Sequence, residues 1–149
     1  MMEFLQTTVD KFTFRVAADR FYNSEGIWAK PEGQYVRIGL SDFLQQRSGD
    51  IAFAEVRPAG TSLAFGDEVA VIETIKVNIS LSSPASGKIV EVNPGIEMSP
   101  EVINQDPFEK GWVAVIEASN WVADQIRLLN AQAYFAKMKL EAEEEIKKG

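Results

Sequence analysis

Between Gly49 and Glu117 the chain is a succession of short β-branched runs, each cut off by Gly, Pro, Asn or Asp: Ile51–Val56, Glu68–Thr74, Val77–Leu81, Lys88–Val92 and Val113–Ile116. Strands of this length at this spacing belong to a small sandwich or flattened barrel. Gly66–Glu73 and Gly87–Val92 echo one another faintly, with one hairpin between them. Upstream, Phe12–Val16 alternates like a strand, Asn23–Gly26 is a polar loop, and Pro31-Glu32-Gly33 turns the chain before a strand over Tyr35–Leu40. Ser41 as cap, Asp42 in the first turn and Gly49 as stop predict a short helix over 42–48. Ser99-Pro100-Glu101 predicts another helix start, with Ser as cap. Residues 121–147 contain neither Gly nor Pro and predict one long helix capped by Asn120. Its apolar face is Val122, Ile126, Leu129, Ala133, Ala136 and Leu140. The acidic stretch 141–145 lies near the negative helix end, so the last turns are expected to fray.

The 149 residues fit one domain, and a chain of that length needs no covalent or metal staple to hold a core. It has no Cys and no His, which removes thiolate catalysis, zinc–sulfur sites and the commonest general base. Fifteen basic against 22 acidic residues give a charge of −7, the wrong sign for a nucleic-acid binder. No run reaches the length of a membrane span and the N-terminus lacks signal-peptide regions, so no membrane partner and a cytoplasmic location are expected. An enzyme would have to rest on a lysine or a carboxylate pair. Glu73 and Lys76 could pair on a helix, but the β-branched texture around them argues against one, and a hairpin tip offers a lysine no burial to lower its pKa.

Lys76 is the only lysine between Lys30 and Lys88, and it sits between two β-branched runs that must double back. It is therefore expected at a hairpin tip, its amine in water while ladder bonds hold the flanking chain. One such lysine alone is a solvated turn residue. Its surroundings change that: Glu73-Thr-Ile-Lys76, then Ser83-Pro-Ala-Ser-Gly87 and Ile89-Val-Glu-Val-Asn93, resemble the lipoylation hairpin of the glycine cleavage H protein family. Tyr22…Glu25…Trp28, Ile38–Phe43, Gly49–Phe53, Gly60-Thr, Gly66–Glu68, Asn104…Pro107 and Gly111-Trp112 follow in the family's order, so the resemblance covers roughly residues 22–117.

The resemblance implies a mainly β fold: a flattened β-sandwich, or barrelled hammerhead, of lipoyl/biotinyl type, with a short helix after Leu40 and a C-terminal α-helix over about 121–147. Residues 1–149 would form a single carrier domain. Lipoate would be attached covalently to Lys76 by a lipoate ligase or lipoyl transferase, so that redox-active sulfur comes from the cofactor rather than the chain. Ile75 and Val77 would keep the turn defined, and Glu73 with Glu68 would offer an acidic surface to visiting enzymes. The cargo would be an aminomethyl group and reducing equivalents, and the other partners glycine decarboxylase, aminomethyltransferase and dihydrolipoamide dehydrogenase. Glu25 matches the acidic residue of the family's arm pocket, but Gly26 stands where the family usually has a histidine. That departure keeps an alternative open, an H-like lipoate-binding protein carrying sulfur intermediates for a heterodisulfide-reductase-like complex. A biotin carrier would want methionines flanking the lysine; here the neighbours are Ile75 and Val77. An unmodified scaffold module would lack any use for Lys76 in this setting.

Overall fold

The structure, a computed structural model, describes residues 2–148. It opens with a hairpin of β1 (Phe4–Val9) and β2 (Phe12–Ala17). Asp10 turns this hairpin at φ +56°, a conformation that two-residue hairpin loops require and Asp tolerates. A meander of β3 (Phe21–Tyr22), β4 (Ile27–Glu32) and β5 (Tyr35–Leu40) follows and leads into α1 (Asp42–Ser48). The bounds of α1 are those its local signals predict: Ser41 Oγ accepts the Leu44 N–H, and Gly49 ends the helix at φ +88°. Next come β6 (Ile51–Val56), β7 (Ser62–Leu63), β8 (Glu68–Thr74), β9 (Asn78–Ser82), β10 (Gly87–Val92), α2 (Val102–Gln105) and β11 (Ala114–Ala118). The chain ends with α3 (Trp121–Ile126), β12 (Leu129–Asn130) and α4 (Ala131–Lys148).

Seven strands form one sheet in the order β12-β3-β4-β5-β11-β10-β7, and β6-β8-β9 form a second. Their inner faces share one core, in which Ile38, Ile89 and Ile116 of the large sheet join Ile51, Ile72 and Leu81 of the small one. The two echoing segments become β8 and β10, one strand in each sheet. A second cluster forms where the N-terminal hairpin and α4 cover Trp28, Tyr22, Phe43 and Phe108. Trp28 is wholly buried, donates from Nε1 to the Pro107 carbonyl at 3.0 Å and packs against Gly39, where a Cβ would lie 2.5 Å from the indole.

Several expectations are corrected. The single helix over 121–147 is interrupted, because Leu129 and Asn130 pair with Tyr22 and Phe21 as an edge strand, and Asn130 Oδ1 then caps α4 by accepting the Ala133 N–H at 2.8 Å. Asn120 precedes α3 but makes no side-chain cap bond. The break rotates the buried face: Ala131, Tyr134, Met138 and Ala142 pack inward, whereas Val122, Ile126 and Leu140 are exposed. The last turns stay helical through Lys148, and Arg47 of α1 pairs with Glu141 and Glu145 there. At Ser99 a looser turn comes first, and regular helix begins at Val102 without a side-chain cap. Phe53 is exposed, because a bulge between Ile51 and Phe53 breaks the alternation of β6.

Candidate functional site

The ladder of β8 and β9 closes with Glu73 opposite Asn78, leaving Ile75 and Lys76 as the tip. Thr74 builds the turn. Its N–H donates to the Val77 carbonyl at 2.9 Å, and its hydroxyl oxygen accepts the N–H of Lys76 at 3.2 Å and of Val77 at 3.1 Å. A threonine hydroxyl bonding the next two or three backbone amides mimics a backbone turn. Thr74 was not singled out from the sequence, although a Thr two residues before a hairpin tip is a signal for this motif. Of the flanking residues, Ile75 is 93% exposed and Val77 45%, and Val77 joins the turn through its backbone N–H and carbonyl.

Lys76 is exposed, and its Cδ and Cε pass 3.8 Å from the point where a Cβ on Gly49 would stand. Among the described residues no carboxylate lies within ion-pair distance of its amine. A primary amine held on a ladder-braced turn with no partner to neutralise it is open to acylation by an enzyme that reaches the tip. Glu73 is exposed one step below the tip. Glu68 is not part of that acidic surface. It lies at the far end of β8, about 20 Å away along a seven-residue strand, with its carboxylate held by Arg57 at 3.1 Å and Ser80 Oγ at 2.6 Å.

The tip stands over two depressions. One, of about 670 Å³, takes Val77 and Ile79 from the hairpin and Ser24 and Glu25 from the loop before β4. The other, of about 420 Å³, takes Lys76 together with Phe12, Phe14, Phe43, Ala142 and Ile146. Arg47 and Glu145 line both, so their ion pair stands between them. Glu25 and the hairpin therefore meet at the first depression. The Glu25 carboxylate is exposed and already accepts from Ser82 Oγ at 2.8 Å and Ser82 N–H at 3.4 Å, while Asn23 ties the same loop to the Ser82 carbonyl.

Gly26 has a reason in the packing. It holds φ +94°, and a Cβ there would lie 2.8 Å from Tyr134 Oη and 2.9 Å from Ser41 Oγ. Those two hydroxyls bond each other at 2.9 Å, and Tyr134 stacks on Tyr22 at 4.5 Å. The space a side chain at position 26 would need is thus taken by α4. Burial pushes the phenols of both tyrosines well above the ordinary tyrosine value.

Among the described residues no cluster of three or more His, Cys, Asp or Glu could hold a metal, and no helix is long and apolar enough to cross a membrane. The model of the glycine cleavage H-protein family matches residues 20–142. The glycine cleavage system H protein of Thermus thermophilus is 36% identical over 127 residues, 85% of this chain and 98% of that protein. That of Symbiobacterium thermophilum is 42% identical over 121 residues, covering 81% of this chain and 94% of the relative. A crystal structure of the glycine cleavage system H protein from Mycobacterium marinum superposes with a TM-score of 0.73 at 28% identity, over 80% of this chain and 96% of that one. The two-sheet sandwich is accordingly of the lipoyl type, and a match of this breadth places the chain in the glycine cleavage H-protein family.

Proposed function

We propose that residues 1–149 act as one non-catalytic carrier domain whose lipoyl group is attached by an amide at Lys76. Members of the family are lipoyl carriers, and the relatives favour glycine cleavage over the sulfur-oxidation alternative. The observation that carries the assignment is the tip itself: an exposed, unpaired amine on a turn braced by Thr74. A bound lipoyl group supplies a dithiolane whose sulfurs take up the aminomethyl cargo and the reducing equivalents. The chain's own work is positional. The β8–β9 ladder keeps Lys76 clear of the sandwich, so that the lipoate ligase or lipoyl transferase can reach it and the arm can then visit glycine decarboxylase, aminomethyltransferase and dihydrolipoamide dehydrogenase in turn. Glu73 gives these visitors a negative charge next to the tip. Glu25, at the edge of the depression beside Val77, is placed to attract a cationic amine, since Ser82 occupies only part of its acceptor capacity.

Intact-mass measurement after co-expression with a lipoate ligase tests the attachment. Wild type should gain one lipoyl unit and Lys76→Arg none; an unchanged wild-type mass beside a ligase active on its usual substrate refutes the assignment. Exchange of the glycine carboxyl with bicarbonate, driven by glycine decarboxylase and the lipoylated chain, tests the cargo. Absence of exchange beside a working H protein refutes the glycine reading.

A further inference from the structure

Half of the residues that line the depression beside Lys76 lie outside the family match. Phe12 and Phe14 belong to the hairpin over residues 4–17, and Ile146 to the last turn of α4, whereas the family match runs over 20–142. These added pieces pack as a wall. Phe14 meets Phe43 edge-on at 5.3 Å, Phe12 lies 6.4 Å from Phe14, and the Arg47 guanidinium covers the Phe43 ring at 5.2 Å. Phe12 keeps 43% of its surface exposed and Ile146 37%, so the lining holds apolar area still in contact with water. At about 420 Å³ the space lies within the roughly 300–1,000 Å³ of small-molecule pockets. A lysine whose own side chain lines the groove is the tether that selects the occupant.

We propose that this groove is a docking station for the arm on Lys76 in its uncharged, oxidised form, a saturated eight-carbon acyl chain ending in a dithiolane. The inference rests on attachment at Lys76. An apolar arm gains by covering Phe12, Phe14 and Ile146, and a tethered ligand avoids most of the entropic cost of association. Asp10, Gln46, Arg47 and Glu145 also line the groove.

The test uses the full chain, with lipoylation at Lys76 verified first by mass. The rate at which a small water-soluble phosphine reduces the dithiolane is measured for this protein, for free lipoamide and for lipoylated Phe12→Glu and Phe12→Leu. Docking predicts reduction about tenfold slower than free lipoamide, the protection given by roughly nine-tenths occupancy. Phe12→Glu should return to the free rate and Phe12→Leu should stay protected, with thermal unfolding confirming that each is folded. In nuclear magnetic resonance, the arm methylenes of the wild type should show contacts to the Phe12 and Phe14 rings. A lipoylated wild type reduced at the free rate overturns the groove alone, as do arm contacts to Val77 and Ile79 in place of the phenylalanines. A chain that takes no lipoyl group at Lys76 overturns the attachment and the groove together.

Discussion

At position 26 the absence of a side chain is a packing requirement. The resemblance implies a histidine there, yet φ +94° and the Tyr134 and Ser41 hydroxyls within 3 Å of a Cβ leave no room for one. An L-residue in the left-handed region costs about 1–2 kcal/mol, and forced overlap in a packed site about 1–3 more. Gly26→Ala should therefore lower the urea-derived stability by roughly 2–5 kcal/mol. Gly33→Ala is the internal control: φ is +68° there, but nothing lies within 4 Å of the added carbon, so only the conformational part should appear. Equal losses at the two positions would mean that Tyr134 yields freely. At the tip, Thr74→Ala removes the acceptor of two amides and should speed exchange of the Lys76 and Val77 amides about fivefold, a loss of about 1 kcal/mol, while Thr74→Ser should not. Lys76 and Glu73 were legible in the sequence because spacing alone puts them at and beside a reversal. Thr74 was not, because its role lies in bonds to the backbone that no hydrophobic pattern records.

At the scale of elements, legibility follows how local the deciding force is. The bounds of α1 come from Ser41 and Gly49, both adjacent to the helix, and β5, β6 and β8 are delimited by turn residues at their own ends. The break between α3 and α4 has no such mark in Arg127-Leu128-Leu129, which a helix accepts. It arises because Leu129 and Asn130 find a partner strand more than a hundred residues earlier. Counting a face through that break sets the wrong residues inward, and omitting Tyr134 and Met138 hides the right ones. Likewise β1 became visible only with the pairing that holds it against β2. The corrected face makes a sharp expectation. Met138, fully buried in the second cluster, should cost about 2–5 kcal/mol when replaced by Ala, and Leu140, 64% exposed, no more than about 0.5 kcal/mol. Chemical denaturation of the two variants decides it; a larger loss at Leu140 would restore the uninterrupted helix.

Over the whole molecule the carrier sandwich has one core between its sheets and a second under α4 and the N-terminal hairpin, and the second holds both buried tyrosines. Tyr22 donates to the Ala17 carbonyl at 2.8 Å and Tyr134 bonds Ser41, so each phenol has a partner as a neutral group, and burial outweighs the pull of Arg20 on Tyr22 and of Arg47 on Tyr134 toward the ionised form. Burial raises both above the ordinary value of 10.0, at which the unfolded chain would release the same protons. Below about pH 10 neither state ionises them, and their contribution to stability is intact. As pH rises past that point the unfolded state sheds two protons that the folded state retains, so stability falls, with a limiting slope of about 2.7 kcal/mol per pH unit for the pair. Denaturant unfolding measured from about pH 8 to about pH 11 should show the decline beginning near the unfolded tyrosine value. Phenolate absorbance from these two rings should appear with unfolding and not before it. The double variant Tyr22→Phe/Tyr134→Phe, although less stable at neutral pH for want of two hydrogen bonds, should lose this part of the alkaline slope. A decline of equal steepness in both proteins would mean that water reaches the phenols in the folded state, and that the cluster joining α4 to the sandwich is open.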